Sequence, residues 1–266
     1  MQYTTDGLIV REVAVGDSDK MLTILTPEYG QIGVMAKGAK SIKKGATAVT
    51  ELYTYGNYEI YEKNDRNWLR GGSVIESFFG LRGDIEKIAL AAYLADLACE
   101  MTGEGLPSPD MLKMTLNAFF AISSDKKPRN LIKAVYELRA AGNSGYMPDL
   151  SGCAYCKKEN GEGLYLDVMN GCVTCSECMM KQASRIHRST EDENEERSIL
   201  LPINGSVLAA MRYAIYAPGE RMLSFKLNGE EENAMFSKAA EEYLLHHLER
   251  GFSSLEFYKS LLSMKI

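Results

Sequence analysis

The stretch GLIVREVAVGDSDKMLTILTPEYGQIGVMAKGAK, residues 7–40, decides the fold of the first part of the chain. It contains three runs rich in Val, Ile, Leu and Thr, at 7–15, 21–26 and 31–36, a composition that suits a pleated, half-buried surface. Turn signals separate them: Gly16-Asp17 after the first run, and Pro27-Glu28-Tyr29-Gly30 after the second. Two further runs of the same kind follow at 50–61 and 67–78, divided by Asn64-Asp65. Gly56, inside the fourth run, predicts a bulge or a bend of the kind a small barrel needs at a corner.

Five short strands in so short a stretch predict a small closed barrel. An oligonucleotide-binding (OB) barrel is one candidate, and strand count alone does not separate it from an SH3-like barrel. After Arg82 the apolar period becomes helical. Ile85, Ile88, Ala92, Ala95 and Ala98 share one stripe, widened by Leu94, Leu97 and Met101. A second helix is expected from Ser108 as N-cap and Pro109 in the first turn. A third follows Pro128, with Gly142 placed to end it, and helical patterns return at 206–216 and 233–248. The expected fold is α+β: a five-stranded β-barrel over residues 1–80, then an α-helical domain over 81–266.

The helical region is interrupted by two Cys-x2-Cys pairs, Cys153/Cys156 and Cys175/Cys178, with 18 residues between them. That spacing reads as a zinc knuckle at about residues 150–180. Four thiolates complete a tetrahedral shell and leave no open position for substrate, so the metal is expected to be structural. Cys172 extends the second pair into a triple run, Cys172-x2-Cys175-x2-Cys178, which an iron–sulfur cluster is able to use. The ferredoxin continuation x3-Cys-Pro is absent, because Met179, Met180 and Lys181 follow. Cys172 also stands as an alternative ligand to Cys175. Cys99, on the apolar stripe of the first helix, reads as a small core residue.

Hydrophobic content of 45% and charged content of 25% are those of a soluble globular protein. No apolar run is long enough to cross a bilayer, and the N-terminal residues lack the pattern of a secretory signal. Clustered cysteines suit a reducing compartment, and the expected location is cytoplasmic. Net charge is −6, which gives no overall attraction to nucleic acid, so any such attraction must be local. Lys37, Lys40, Lys43 and Lys44 form a basic segment between the third and fourth strands, whereas Glu191 to Glu196 is an acidic run expected to be a solvated loop. Lysines on the face of an OB barrel neutralise phosphates, and Tyr53, Tyr55, Tyr58, Tyr61 or Trp68 offer stacking surface. Because strand residues alternate, some of those rings must point into the core. Arg66 and Arg70, beside the last strand, are further phosphate contacts. No phosphate-binding loop, metalloprotease zinc pair or nucleophile elbow occurs, so a binding protein rather than an enzyme is expected.

The N-terminal segment quoted above resembles the opening of the RecO family of bacterial recombination mediators and DNA repair proteins. Shared features are the Gly-Asp turn, the Leu-Thr strand and the basic Lys-Gly-Ala-Lys segment. Tyr136-Glu137-Leu138-Arg139 and Gly145-Tyr146-Met147-Pro148-Asp149-Leu150, ahead of the cysteines, resemble that family's lead into its knuckle. The resemblance implies an OB domain, a helical domain and a zinc module held by Cys153, Cys156, Cys175 and Cys178. It implies binding to single- and double-stranded DNA, annealing of complementary strands, and loading of RecA onto DNA coated by single-strand-binding protein. RecR is the partner it implies, and nucleoid association during repair the location. Lys37 and Lys40 match the family's basic segment, which Lys43 and Lys44 extend. Cys172 departs from the family, where glycine is common. A second reading makes the chain a zinc-containing protein-interaction scaffold that does not bind DNA directly.

Overall fold

In the computed structural model, which describes residues 1–40, 48–161, 163–186 and 198–264, the five N-terminal strands close into a barrel. The strands are β1 (Gln2–Val15), β2 (Asp19–Thr26), β3 (Gly30–Ala36), β4 (Tyr55–Lys63) and β5 (Arg66–Glu76). Their order around the barrel is β1-β2-β3-β5-β4, with β4 returning to β1. All neighbours run antiparallel except β3 and β5, whose parallel contact pairs Val34 with Asn67 and Met35 with Trp68. This is the OB arrangement, and it decides between the two barrel types that strand count left open.

Period-two alternation builds the core. Leu22 and Ile24 from β2, Ile32, Val34 and Ala36 from β3, and Tyr58 and Ile60 from β4 meet Ile9 of β1 inside the barrel. The first strand starts earlier than the sequence predicts, at Gln2, because it pairs with two neighbours: residues 2–8 with β4 and residues 8–15 with β2. A register shift between Ile9 and Arg11 marks where it bends from one partner to the other. Gly56 does sit at a register shift, and a Cβ there would lie 2.6 Å from the Ser73 carbonyl oxygen. The fourth strand starts later than predicted, at Tyr55, because Tyr53 adopts a left-handed conformation (φ 65°) and ends the preceding turn.

Contacts among elements divide the chain into two compact units, Met1–Lys126 with Phe252–Ile266, and Lys127–Gly251. In the first unit, helices α1 (Ile85–Met101), α2 (Pro109–Ser124) and α7 (Ser253–Ser263) accompany the barrel. The side chain of Asp84 caps α1 by accepting from the Glu86 and Lys87 amides. Leu90, Leu94 and Leu97 are buried, but Ile85 and Ile88 are exposed, so the predicted stripe is wrong over its first turn. At α2 Ser108 is the N-cap residue, as expected, but its side chain makes no capping bond and its hydroxyl donates to the Leu106 carbonyl instead. Phe119 of α2 packs edge-on against Tyr53 and Phe78, at centroid distances of 5.2 and 5.7 Å. Gly30 has φ 61°, and a Cβ there would run into the carbonyl oxygens of Gly103 and Leu106, so only glycine lets β3 start so close to that segment.

The second unit combines α3 (Arg129–Asn143), α4 (Ser176–Ile186), α5 (Gly205–Tyr216) and α6 (Gly229–Leu248) with a small sheet absent from the sequence reading. That sheet has the order β6-β8-β7-β9, formed by Asp149–Cys153, Cys172–Cys175, Leu164–Asp167 and Leu200–Ile203. Its strands of four or five residues are too short to show a period. A buried charge cluster joins α3 to α6: Lys133 lies 2.8 Å from Glu137 and 2.7 Å from Glu241. Burial works against the Lys133 charge, but the two carboxylates outweigh it and hold the ammonium above the ordinary lysine range. Its contribution to stability is therefore complete at neutral pH and lost only as pH rises through that raised value. Arg139 donates to the Ala214 and Ala217 carbonyls at the end of α5, both at 2.8 Å.

Substituting Lys133→Met takes the ammonium away from the buried Glu137 and half-buried Glu241 carboxylates and is expected to destabilise the protein by about 3–5 kcal/mol. Urea unfolding at pH 7 measures this, and pairing the change with Glu137→Leu should recover part of the loss.

Candidate metal centre and nucleic-acid interface

The cysteine site is assembled by the small sheet. Cys153 ends β6, and its knuckle closes through two backbone bonds, Cys153 N–H to Lys158 O (2.9 Å) and Lys157 N–H to Cys153 O (2.8 Å). Lys157 takes a left-handed conformation (φ 61°) at this turn. Cys175 ends β8, and Cys178 follows in the first turn of α4, so a strand end and a helix start present the second pair. Ala154 N–H bonds Val173 O at 2.7 Å, which brings the two knuckles together. The Sγ atoms of Cys153, Cys156, Cys175 and Cys178 all lie within 4.8 Å of one another, and Cys156 is 3.6 Å from Cys175.

These distances fit a metal. Four thiolates about 2.3 Å from a tetrahedral zinc ion stand about 3.8 Å apart. Burial opposes ionisation of Cys153, but the backbone amides of Cys156, Tyr155 and Cys175, with the Cys156 side chain, lower its thiol well below the ordinary value. Cys178 is pushed the other way by burial and by bonds to the neighbouring sulfurs. Four thiolates so close together repel, and a divalent cation is the group that lets all four ionise. Zinc held there would link the strands and α4 and supply no reaction chemistry. Cys172 is not among the four. It lies an odd number of positions before Cys175 in β8, beside the strand residues Asp149 and Asp167, so the second pair keeps the symmetric spacing.

The second site is on the barrel. Lys37, Tyr61, Lys63, Asn64, Arg66 and Trp68 line an open groove of about 680 Å³. Strand register places them: Tyr61 is directly opposite Trp68, and Lys63 opposite Arg66. The aromatic candidates separate cleanly. Tyr53 and Tyr58 are buried and Tyr55 half-buried, whereas Tyr61 and Trp68 face the groove. Arg70 does not line the groove but lies over the Tyr61 ring, 5.3 Å from its centroid, and donates to Gln2 Oε1 at 3.1 Å. Lys40 is drawn to the β1–β2 turn, where its ammonium donates to Gly16 O and its amide to Ser18 O, both at 3.0 Å. Asp19 anchors the same region by accepting from the Gly38 amide and Ser18 hydroxyl. Those bonds, then Lys37 and Lys40, hold its carboxyl below the usual range. Lys43 and Lys44, like the acidic run at 191–196, lie outside the described residues. Lys63 and Asn64 are groove residues that sequence reading missed; their signal was the Asn64-Asp65 turn, which places the residues on either side of it at a strand end.

Family models for the N- and C-terminal parts of recombination protein O match residues 1–78 and 82–256. The chain belongs to the RecO family. Among its relatives is the DNA repair protein RecO of Acetivibrio thermocellus, 27% identical over 97% of this chain and 96% of that protein. The DNA repair protein RecO of Bacillus subtilis is also 27% identical, over 98% of this chain and 95% of its own length. That of Listeria monocytogenes is 31% identical over 68% of this chain and 71% of the relative. RecO-family members are non-catalytic mediators of DNA repair and recombination, and a zinc ion held by all four sulfurs would have a closed, structural shell. Among the described residues, no helix is long and apolar enough to cross a membrane.

Substituting Cys175→Ser is expected to take bound zinc from about one per chain to near zero and to lower the melting temperature, whereas Cys172→Ser keeps about one. Metal quantification on the purified variants, with a thermal melt, distinguishes the two.

Proposed function

We infer that this protein is a recombination mediator that binds single- and double-stranded DNA through its barrel, residues 1–80, with Lys37, Lys40, Arg66 and Arg70 as phosphate contacts. Lys43 and Lys44 are assigned to the same surface from sequence alone. The observation that supports this most is the groove, in which three cations share one face of an OB barrel with the exposed Tyr61 ring and the half-buried Trp68 ring. OB barrels use the face of their second and third strands, and the loops after the first and fourth, for oligonucleotides. Lys37 follows β3, and Lys63 to Arg66 form the loop after β4. Lys40 differs from the others, because its ammonium also holds the loop after β1.

On this reading the protein anneals complementary strands and assists loading of RecA onto DNA coated by single-strand-binding protein, with RecR as partner and nucleoid association during repair. Family membership supports these roles. A mediator needs to hold strands without altering them, and a basic, solvent-open groove does that. The helical region and its zinc module then serve as a partner-binding platform.

The test is a salt titration of single-strand binding. Replacing Lys37, Lys63 and Arg66 together by Ala is expected to weaken binding and to lower the slope of log K against log salt by roughly 2. An unchanged slope in a folded variant would remove the groove from the DNA-binding surface. Retained RecR binding without affinity for any oligonucleotide at low salt would favour the scaffold reading.

A further inference from the structure

Both rings of the groove are covered by cations of their own chain. Lys37 Nζ stands 4.6 Å from the centre of the Trp68 ring, and the Arg70 guanidinium 5.3 Å from that of Tyr61. The rings are not core residues. Tyr61 is 37% exposed, Trp68 half-buried, and the barrel interior is filled by other side chains. They are a directly opposed cross-strand pair, so their Cβ atoms are about 5 Å apart, within reach of adjacent nucleotides of one strand. Three cations line the same groove: Lys37 at the end of β3, and Lys63 and Arg66 across the β4–β5 turn.

We propose that Trp68 and Tyr61 are stacking seats for unpaired nucleobases, and that an entering single strand displaces Lys37 and Arg70 from the rings onto its phosphates. This rests on the barrel being the DNA-binding surface, and adds how that surface tells single strands from duplex. A cation over an exposed ring is held weakly, and a stacked base more strongly. At each ring the exchange gives a base on the ring and a cation on the phosphate beside it; at Trp68 it gives up the Lys37 contact, and at Tyr61 the exposed Arg70–Gln2 hydrogen bond as well. Both side chains are long and flexible enough to move by the few ångströms required. A duplex presents phosphates but keeps its bases stacked within the helix, so it meets the cations and leaves the rings covered. The same cations thus meet both forms of DNA, and only the single strand makes the exchange.

Trp68 is the only tryptophan in the chain, so its fluorescence reports on the seat directly. With the full-length protein, titration with oligo(dT) is expected to quench Trp68. A covalently closed dumbbell duplex, which has no frayed ends, should bind with little quenching. Trp68→Ala is expected to weaken oligo(dT) binding roughly tenfold or more while leaving dumbbell affinity unchanged, and Trp68→Phe should restore most of the loss. Equal losses for the two DNAs in a folded Trp68→Ala variant would overturn the proposal, and so would unquenched wild-type fluorescence at saturating oligo(dT), a readout that holds even if that variant fails to fold. Wild-type protein that binds neither DNA at low salt would instead refute the DNA-binding reading itself. Binding of both DNAs with no effect at Trp68 would remove only the stacking seats.

Discussion

The parallel contact that closes the barrel, Val34 against Asn67 and Met35 against Trp68, is the constraint on which the groove depends. It brings β5 between β3 and β4, strands that the chain order would otherwise leave as neighbours. With that register set, alternation does the sorting. Tyr58 and Ile60 point inward, Tyr61 outward; Leu69 packs on the core while Trp68 lies in the groove. A slip of one residue in β4 or β5 would bury the groove's rings and expose core residues, a cost large enough to hold the register. The site that meets solvent is thereby specified by the apolar residues behind it.

Electrostatics are set on the same short scale. The chain carries a net charge of −6, yet Lys37, Lys63 and Arg66 line one groove with Arg70 beside Tyr61. At physiological salt, charges more than about 8 Å apart are largely screened, so a phosphate in the groove responds to these cations and little to distant acids. The overall charge argues about solubility and long-range approach, and the local cluster about binding. Lys40 shows why counting cations is not enough, since part of its capacity is taken up by the Gly16 carbonyl.

The cysteine centre answers a different physical problem. The sheet it joins has strands of only four or five residues, and β6 meets β8 at just two recorded pairs, Asp149 with Cys172 and Cys153 with Val173. Leu164, Leu166 and Val173 are buried, but so short a ladder fixes the two knuckles by few hydrogen bonds, and a metal held by the four sulfurs would cross-link them. Arg212 of α5 adds to this by donating to Leu150 O and to Glu159, tying the helix to the strand and knuckle that carry Cys153 and Cys156. The second unit thus adds the cysteine centre and the buried Lys133 cluster to an apolar core of its own, built from Ile132, Val135, Leu208, Met211 and Phe236.

Features that depend on neighbours in sequence were legible without a structure. The two Cys-x2-Cys pairs form turns of fixed spacing, so a clustered-cysteine module was legible, and all four sulfurs do come together. Alternating Val, Ile and Thr similarly announced five strands, and Gly56 a bulge. Features that depend on distant partners were not legible. The stripe through Ile85 and Ile88 failed because only the packing partners of α1 decide which of its faces is covered. The small sheet was missed because its strands are too short for a period and pair across the knuckle. By itself, the sequence determined the two cysteine pairs, the five strands and the presence of a basic, aromatic-rich segment, since each is written in residues a few positions apart; that Cys175 rather than Cys172 joins the cluster was decided by the structure. Only the tertiary structure decided that Trp68 and Tyr61 rather than Tyr53 and Tyr58 face solvent, and that Lys63 joins them. Which face of a strand is outward depends on barrel closure, and closure is set by pairings between residues more than thirty positions apart.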